Sequence, residues 1–530
     1  MLKIGKIIDF LIIFWFLFYF LIFGLLLRNS YDYLDPDLGW HLKVGEEIAT
    51  NKQVPTENFY NYTFSGDWVN HEWLIDWFSW QVYDNFGYLT ISIIFALIIV
   101  ASLIILTLFT RKFFKPISII PLAIFQFFGL LACLPSFGVR MQEFSFLFLL
   151  LELFIIQKFV TTRSIRPLFF LLPLFYFWAN IHGSFLFGLT ILAVFLLVKI
   201  VETVILKTKI NKYFLKENIL SKREILFFGL FIVLTFSATL LTPYKLGLYS
   251  FLESYRNTAY LKIIQEWLPF YYLPVAYSKL IYLAFLVSAW LIYIYESYRN
   301  KLARIDLWQF ILFILFFILA LQARRNFPLA FVATFPFFIK ILTELVDFEK
   351  IKNNTRKELR YFLIICLTLT GVSVYLSCQF KLNPFTSFCE KYPCQAKEFL
   401  KNEPEYKDYN IFNEYGWGGY LIFTYPEKRL FIDGRLPQAK FAGHTFIEEY
   451  LDFFKPNSDH GSKLAQYDIR LVLLKTKDDE LNLKKWEKLF FRIDSNSLKS
   501  VNHLRSYLDN SLEWKIVYRD LVASVYVKEE

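Results

Sequence analysis

Asp35-Pro36-Asp37-Leu38-Gly39-Trp40-His41 opens a polar stretch that closes on Asn70-His71-Glu72-Trp73. On either side lie apolar runs, residues 10–27 and 88–110, each long enough to cross the hydrocarbon core of a bilayer as a helix. That arrangement decides the fold class: a polytopic helical membrane protein whose first outer loop, 28–87, carries acids and imidazoles where the chain first leaves the membrane. If the protein performs chemistry, these residues are the first place to expect it.

Working outward, the composition supports the same class. Of 530 residues, 56% are hydrophobic and 20% aromatic, which a soluble domain would not carry. The net charge of +10 does not indicate nucleic acid. Lys and Arg gather in short connectors (Arg111, Lys112 and Lys115; Lys158, Arg163 and Arg166; Arg299, Lys301 and Arg304), as cytoplasmic loops require. The surplus therefore reports topology and contact with anionic headgroups. Run 10–27 is too long for a signal core and lacks a small-residue cleavage site, so it is expected to stay as a first helix, with Lys3 and Lys6 holding the N-terminus cytoplasmic.

Further runs at 117–134, 144–156, 168–178, 184–198, 225–241, 280–295, 307–323, 327–339 and 361–380 bring the count to about eleven spans. An odd count places residues 381–530 outside, giving a plasma-membrane domain (1–380) and an extracytoplasmic α/β domain (381–530). In the latter, strands are expected at 409–412, 419–423, 430–432, 469–474 and 522–527, and helices at 395–401, 446–454 and 501–508. Cys389 and Cys394 either pair outside or remain free thiols.

Polar groups at the membrane rim are costly, so their positions inform. All six histidines fall on the outer side of this topology. Arg140 and the connector Arg324-Arg325-Asn326 oppose the positive-inside pattern. They suit an anion at headgroup depth, such as a phosphate, or snorkel to ordinary lipid. Asp35-Pro36 reads as a helix start with Asp35 as cap; Leu38, Leu42 and Gly45 then share a face. A second helix from Asn70 would carry Trp73, Trp77 and Trp80 as an interface stripe, making the loop a pair of surface-lying helices.

One carboxylate satisfies a cap. Asp37 and His71-Glu72 exceed that need, and could deprotonate a hydroxyl or hold a divalent cation such as magnesium or manganese, with Asp35 and Asp37 as its ligands. Zinc fits less well, because no thiolate is near and the histidines lack zincin spacing. Asn180 and His182 line an outer cavity or make a hydrogen-bonded turn; Glu266 anchors the interface or joins the site, as His41 would. Glu152 sits within a span, where pairing to a neighbour is expected. Gly416-Trp417-Gly418-Gly419-Tyr420 and Asp433-Gly434-Arg435 read as tight turns beside strands.

The acidic stretch after the first span resembles the first-loop signature of the GT-C superfamily of membrane glycosyltransferases. That group includes protein O-mannosyltransferases, aminoarabinose transferases and oligosaccharyltransferase catalytic subunits. Trp68-Val69-Asn70-His71-Glu72-Trp73, Trp178-Ala179-Asn180-Ile181-His182-Gly183, Arg324-Arg325-Asn326-Phe327-Pro328 and Phe431-Ile432-Asp433-Gly434-Arg435 are similar to blocks of a bacterial GT-C-like branch. Gly39 departs from its pattern, where an aromatic is usual, as does Met141, where Arg-Pro-Gln is usual. The resemblance implies inverting transfer of a sugar from a polyprenyl-phosphate-linked donor to a glycan, lipid or protein acceptor at the outer face. It implies Asp35 as base, Asp37 as its neighbour or a metal ligand, and Arg324 and Arg325 on the leaving phosphate. A flippase for lipid-linked glycans and a non-catalytic envelope scaffold are the competing readings.

Overall fold

The computed structural model describes residues 2–32, 34–114, 119–205, 207–209, 219–256, 258–272, 274–299, 306–345, 388–441, 443–478, 483, 485–490 and 501–529. The expected span at 361–380 lies outside these residues. By compactness the chain forms two units: Met1–Tyr31, Ser92–Lys245 and Ala276–Phe380 make one, and Asp32–Ile91, Leu246–Val275 and Lys381–Glu530 the other. The two long polar loops, expected to be outer, thus group with the C-terminal segment, whereas the sequence places the division at residue 380.

In chain order the helices are α1 (Leu2–Asp32), α2 (Leu38–Asn51), α3 (Trp73–Phe113), α4 (Ile119–Cys133), α5 (Glu143–Thr162), α6 (Leu171–Ile181) and α7 (Phe185–Ile205). There follow α8 (Lys222–Thr239), α9 (Gly247–Ser254), α10 (Tyr260–Ile263), α11 (Tyr277–Tyr298), α12 (Leu307–Gln322) and α13 (Phe327–Leu345). Among the described residues six helices are long and apolar enough to cross a membrane, and three shorter apolar helices accompany them. The protein is therefore a membrane protein, and every expected span up to residue 339 coincides with a helix.

The first unit is packed through aromatic rings. Trp290 meets Phe313 and Phe337 at centroid distances of 4.8 and 4.9 Å. A Cβ on Gly129 would stand 2.1 Å from the Phe331 ring, so only glycine allows α4 and α13 this approach. Glu152, expected to pair within its span, is fully buried in α5, and its carboxyl oxygens have no hydrogen-bond partner among the described residues.

Two expectations for the first outer loop change. The second helix begins at Trp73, not Asn70, and continues into the span; Gly87, at φ +77°, supplies the kink at a conformation that other residues adopt only with strain. Helix α2 is more enclosed than a surface-lying helix: it buries Leu38, Trp40, His41, Leu42, Val44 and Ile48, with Lys43, Glu46, Glu47 and Thr50 on its more open face. Both its glycines admit backbone, since a Cβ on Gly39 would stand 2.1 Å from Gly419 O and one on Gly45 2.2 Å from Asp76 O.

The C-terminal segment builds a four-stranded mixed sheet in the order β1-β4-β6-β5, from β1 (Asn410–Asn413), β4 (Ile469–Lys475), β5 (Trp514–Arg519) and β6 (Ala523–Lys528). β1 and β4 are parallel; the other pairs are antiparallel. A two-stranded hairpin of β2 (Lys440–Phe441) and β3 (His444–Thr445) stands apart. Phe412, Phe431, Phe446, Phe453, Leu504 and Tyr526 anchor the core. The expected strand at 419–423 is instead the helix Gly418–Thr424, packed along α2; a short apolar run buried on all sides has no period to separate helix from strand. The expected strand at 430–432 joins no sheet, and β5 was not anticipated because its residues are largely exposed. Cys389 and Cys394 form a disulfide.

Candidate functional site

The acid turn precedes α2. Asp35 Oδ1 accepts the Asp37 N–H (2.9 Å) and Asp35 O accepts the Leu38 N–H (3.2 Å), so the first carboxylate closes the turn as a cap would. The helix starts two residues later than the sequence suggests: Asp37 occupies the N-cap position but makes no side-chain cap bond. Its Oδ1 instead accepts the Trp40 indole N–H at 3.1 Å. Of the two acids, Asp37 is thus the one not committed to backbone. The packed protein around Asp37 and the charge of Asp35 push its carboxyl up to about 6, against the pull of His41 and Trp40, with Glu266 adding to the rise. Glu266 is accordingly part of this site's electrostatics.

Behind the turn lies a buried network. His41 Nδ1 is 2.6 Å from Asp76 Oδ1, and Asp76 Oδ2 accepts the Asn70 amide at 2.8 Å. His41 Nε2 lies 3.6 Å from Glu72, whose other oxygen is 3.6 Å from His71 Nε2. His71 stays nearer the rim, with its ring 5.4 Å from Phe251. Burial disfavours the His41 imidazolium, but Asp76, Glu72 and Asp37 outweigh it and lift its pKa to about 9. The ring is therefore cationic at neutral pH. Asp76 escaped the sequence reading, although an acid inside Trp73-Leu74-Ile75-Asp76-Trp77 was a signal that something buried needed it.

The arginines belong to the other unit. Arg325 donates to Gln142 Oε1 (3.1 Å), tying the connector between α12 and α13 to the turn that carries Arg140. Lys279, buried at the start of α11, donates to Arg324 O (2.8 Å) and was also missed. A lysine at the very start of an apolar helix is costly there, as the arginines are at the ends of theirs, and that was its signal. Asn180 is fully buried at the end of α6 and donates to Tyr176 O (2.8 Å) and Leu241 O (3.2 Å). His182 Nδ1 bonds to Ser184 Oγ (2.8 Å) in the turn that follows.

A magnesium-type cation is held by one or two carboxylates, with water and phosphate oxygens completing its shell, so Asp35 and Asp37 suffice in number as protein ligands. Among the described residues no three His, Cys, Asp or Glu side chains gather as a metal group.

No protein-family model matches the sequence, and no curated protein matches it. Solved structures do. The oligosaccharyltransferase AglB of Archaeoglobus fulgidus, in complex with an inhibitory peptide and a dolichol-phosphate, matches at a TM-score of 0.58 and 11% identity, over 96% of this chain and 79% of that one. The Archaeoglobus fulgidus enzyme tethered to an acceptor peptide with the NVT sequon matches at 0.56 and 11% identity, over 95% and 79%. The apo form matches at 0.54 and 11%, over 88% and 69%. The chain shares its fold with the Archaeoglobus fulgidus oligosaccharyltransferase.

Proposed function

We propose that this protein is an inverting membrane glycosyltransferase that moves a sugar from a polyprenyl-phosphate-linked donor to a hydroxyl or amine acceptor at the outer face of the plasma membrane. One observation carries the reading: in a fold shared with an oligosaccharyltransferase, the first outer loop presents a carboxylate, Asp37, that is spared from capping and held near 6. Such a group is ionised at neutral pH yet basic enough to take a proton. Asp37 removes the proton from the acceptor as the acceptor's lone pair attacks the anomeric carbon. The bond to the donor phosphate breaks, and the leaving oxygen keeps its electron pair. Asp35 shapes the turn, His41 supports it with positive charge, and Glu72 and His71 extend it towards the rim.

Arg324, Arg325 and Arg140 compensate the charge on the departing phosphate, with Lys279 behind them. The N-terminus is cytoplasmic and the C-terminal segment extracytoplasmic. The test is transfer by the purified full-length protein from polyprenyl-phosphate-linked sugars to glycan, lipid and peptide acceptors. Wild type turns over and Asp37→Asn does not; equal turnover in the two removes the assigned base.

A further inference from the structure

The tail turn Asp433-Gly434-Arg435, whose sequence suggests no more than a change of direction, closes on the acid turn. Residues 60–63 of the first loop run beside the segment leading into it. Leu430 N–H donates to Tyr60 O (2.8 Å), Tyr62 N–H to Leu430 O (3.2 Å), and the Thr63 hydroxyl to Phe431 O (2.6 Å). The Arg435 side chain is then wholly enclosed. Its Nε and Nη2 grip Asp433 at 2.9 and 2.8 Å, and Nη2 reaches Asn58 Oδ1 (2.8 Å) and Asn61 Oδ1 (3.1 Å). Its guanidinium lies 4.4 Å from the Tyr60 ring and 4.7 Å from that of Trp68. Trp68 meets Trp40 edge-on at 6.2 Å, and Trp40 is the donor to Asp37. The circuit closes at Gly434, where a Cβ would stand 2.2 Å from Asp37 Oδ1. Gly434 is not in the left-handed region, so space, not backbone conformation, calls for glycine there.

We propose that Asp433-Gly434-Arg435 is a positioning device: Gly434 seats the Asp37 side chain, and Arg435 locks that seat to the first loop. The inference rests on the reading of Asp37 as the base. It makes the C-terminal segment part of the transfer machinery, although Arg435, with no exposed surface on its side chain, cannot meet a substrate. A misplacement of the base by about 1 Å costs up to roughly a hundredfold in rate, while donor contacts made elsewhere persist.

The test compares wild type, Gly434→Ala and Arg435→Lys as full-length proteins in lipid nanodiscs. Gly434→Ala is expected to lower kcat at least about tenfold with KM for the donor held within about twofold and the melting temperature unchanged. Arg435→Lys, which keeps the charge but loses the fork, falls between it and wild type. Wild-type kcat in a folded Gly434→Ala protein overturns the proposal. If wild type transfers no sugar from any polyprenyl-phosphate donor, the functional reading fails, and hydrogen exchange of residues 35–41 decides the positioning claim. Faster exchange in Gly434→Ala upholds the seat; unchanged exchange removes it.

Discussion

The acid turn and the arginine connector are the two regions to which the proposed chemistry is assigned, and they are built in opposite ways. The acid turn is enclosed: Trp40 of its own helix, Glu266 of the second outer loop and Gly434 of the C-terminal segment all bear on Asp37. The connector is three residues of 3₁₀ helix between α12 and α13, with Lys279 and Gln142 as partners. The difference follows from the groups themselves. A guanidinium is charged at any physiological pH and needs only to be placed. A carboxylate must be partly stripped of water before it is a useful base, and that takes protein on several sides.

Substitutions put this contrast to the test. The largest effect is expected at Asp37: Asp37→Asn should cost about 10²–10⁴-fold in kcat, the range for losing a general base. Asp35→Asn should cost clearly less, since an amide oxygen still accepts the Asp37 N–H. Equal losses would make the pair one unit and dissolve the distinction between cap and base. Next come Arg324→Ala and Arg325→Ala, each expected to lower transfer by about 10²-fold through lost compensation of the leaving group, with lysine restoring part of it. An alanine variant that binds the donor more weakly at unchanged kcat would make the connector a headgroup anchor instead.

A smaller effect concerns pH. His41 is raised in the folded protein to about 9, above the roughly 6.5 of an unfolded histidine, so its contribution to stability is full below about 6.5 and is lost as pH rises through about 9. The melting temperature should fall across that window in wild type and stay flatter in His41→Asn. Parallel curves would mean the His41–Asp76 pair does not hold the charge assigned to it. The smallest effect is expected at Asn180: Asn180→Ala should lose about 1 kcal/mol of stability through its two part-buried hydrogen bonds, with kcat unchanged. A kcat loss without a stability loss would place Asn180 at the cavity.

How much of this could be read in advance depends on whether the signal is linear. Arg140, Arg324 and Arg325 stand out along the chain because they sit at the wrong ends of spans, and the hydropathy of those spans is itself linear. The Cys389–Cys394 disulfide was an open alternative because spacing permits a pair without requiring one. The helix Gly418–Thr424 read as a strand because burial on every side erased its period. Gly434 looked like a turn residue because nothing near it in sequence says that a carboxylate will press against it.

From the sequence alone came a membrane protein of apolar spans, an acidic first loop, arginines at the ends of spans and a mixed α/β tail, because hydrocarbon forces polarity and length into local patterns. Only the tertiary structure decided which acid caps and which is spare, that Asp76 backs His41, and that the Asp433-Gly434-Arg435 turn shapes the acid turn. Those depend on burial by segments from tens to hundreds of residues apart, and burial is a property of the packed chain, with no mark in any short stretch of it.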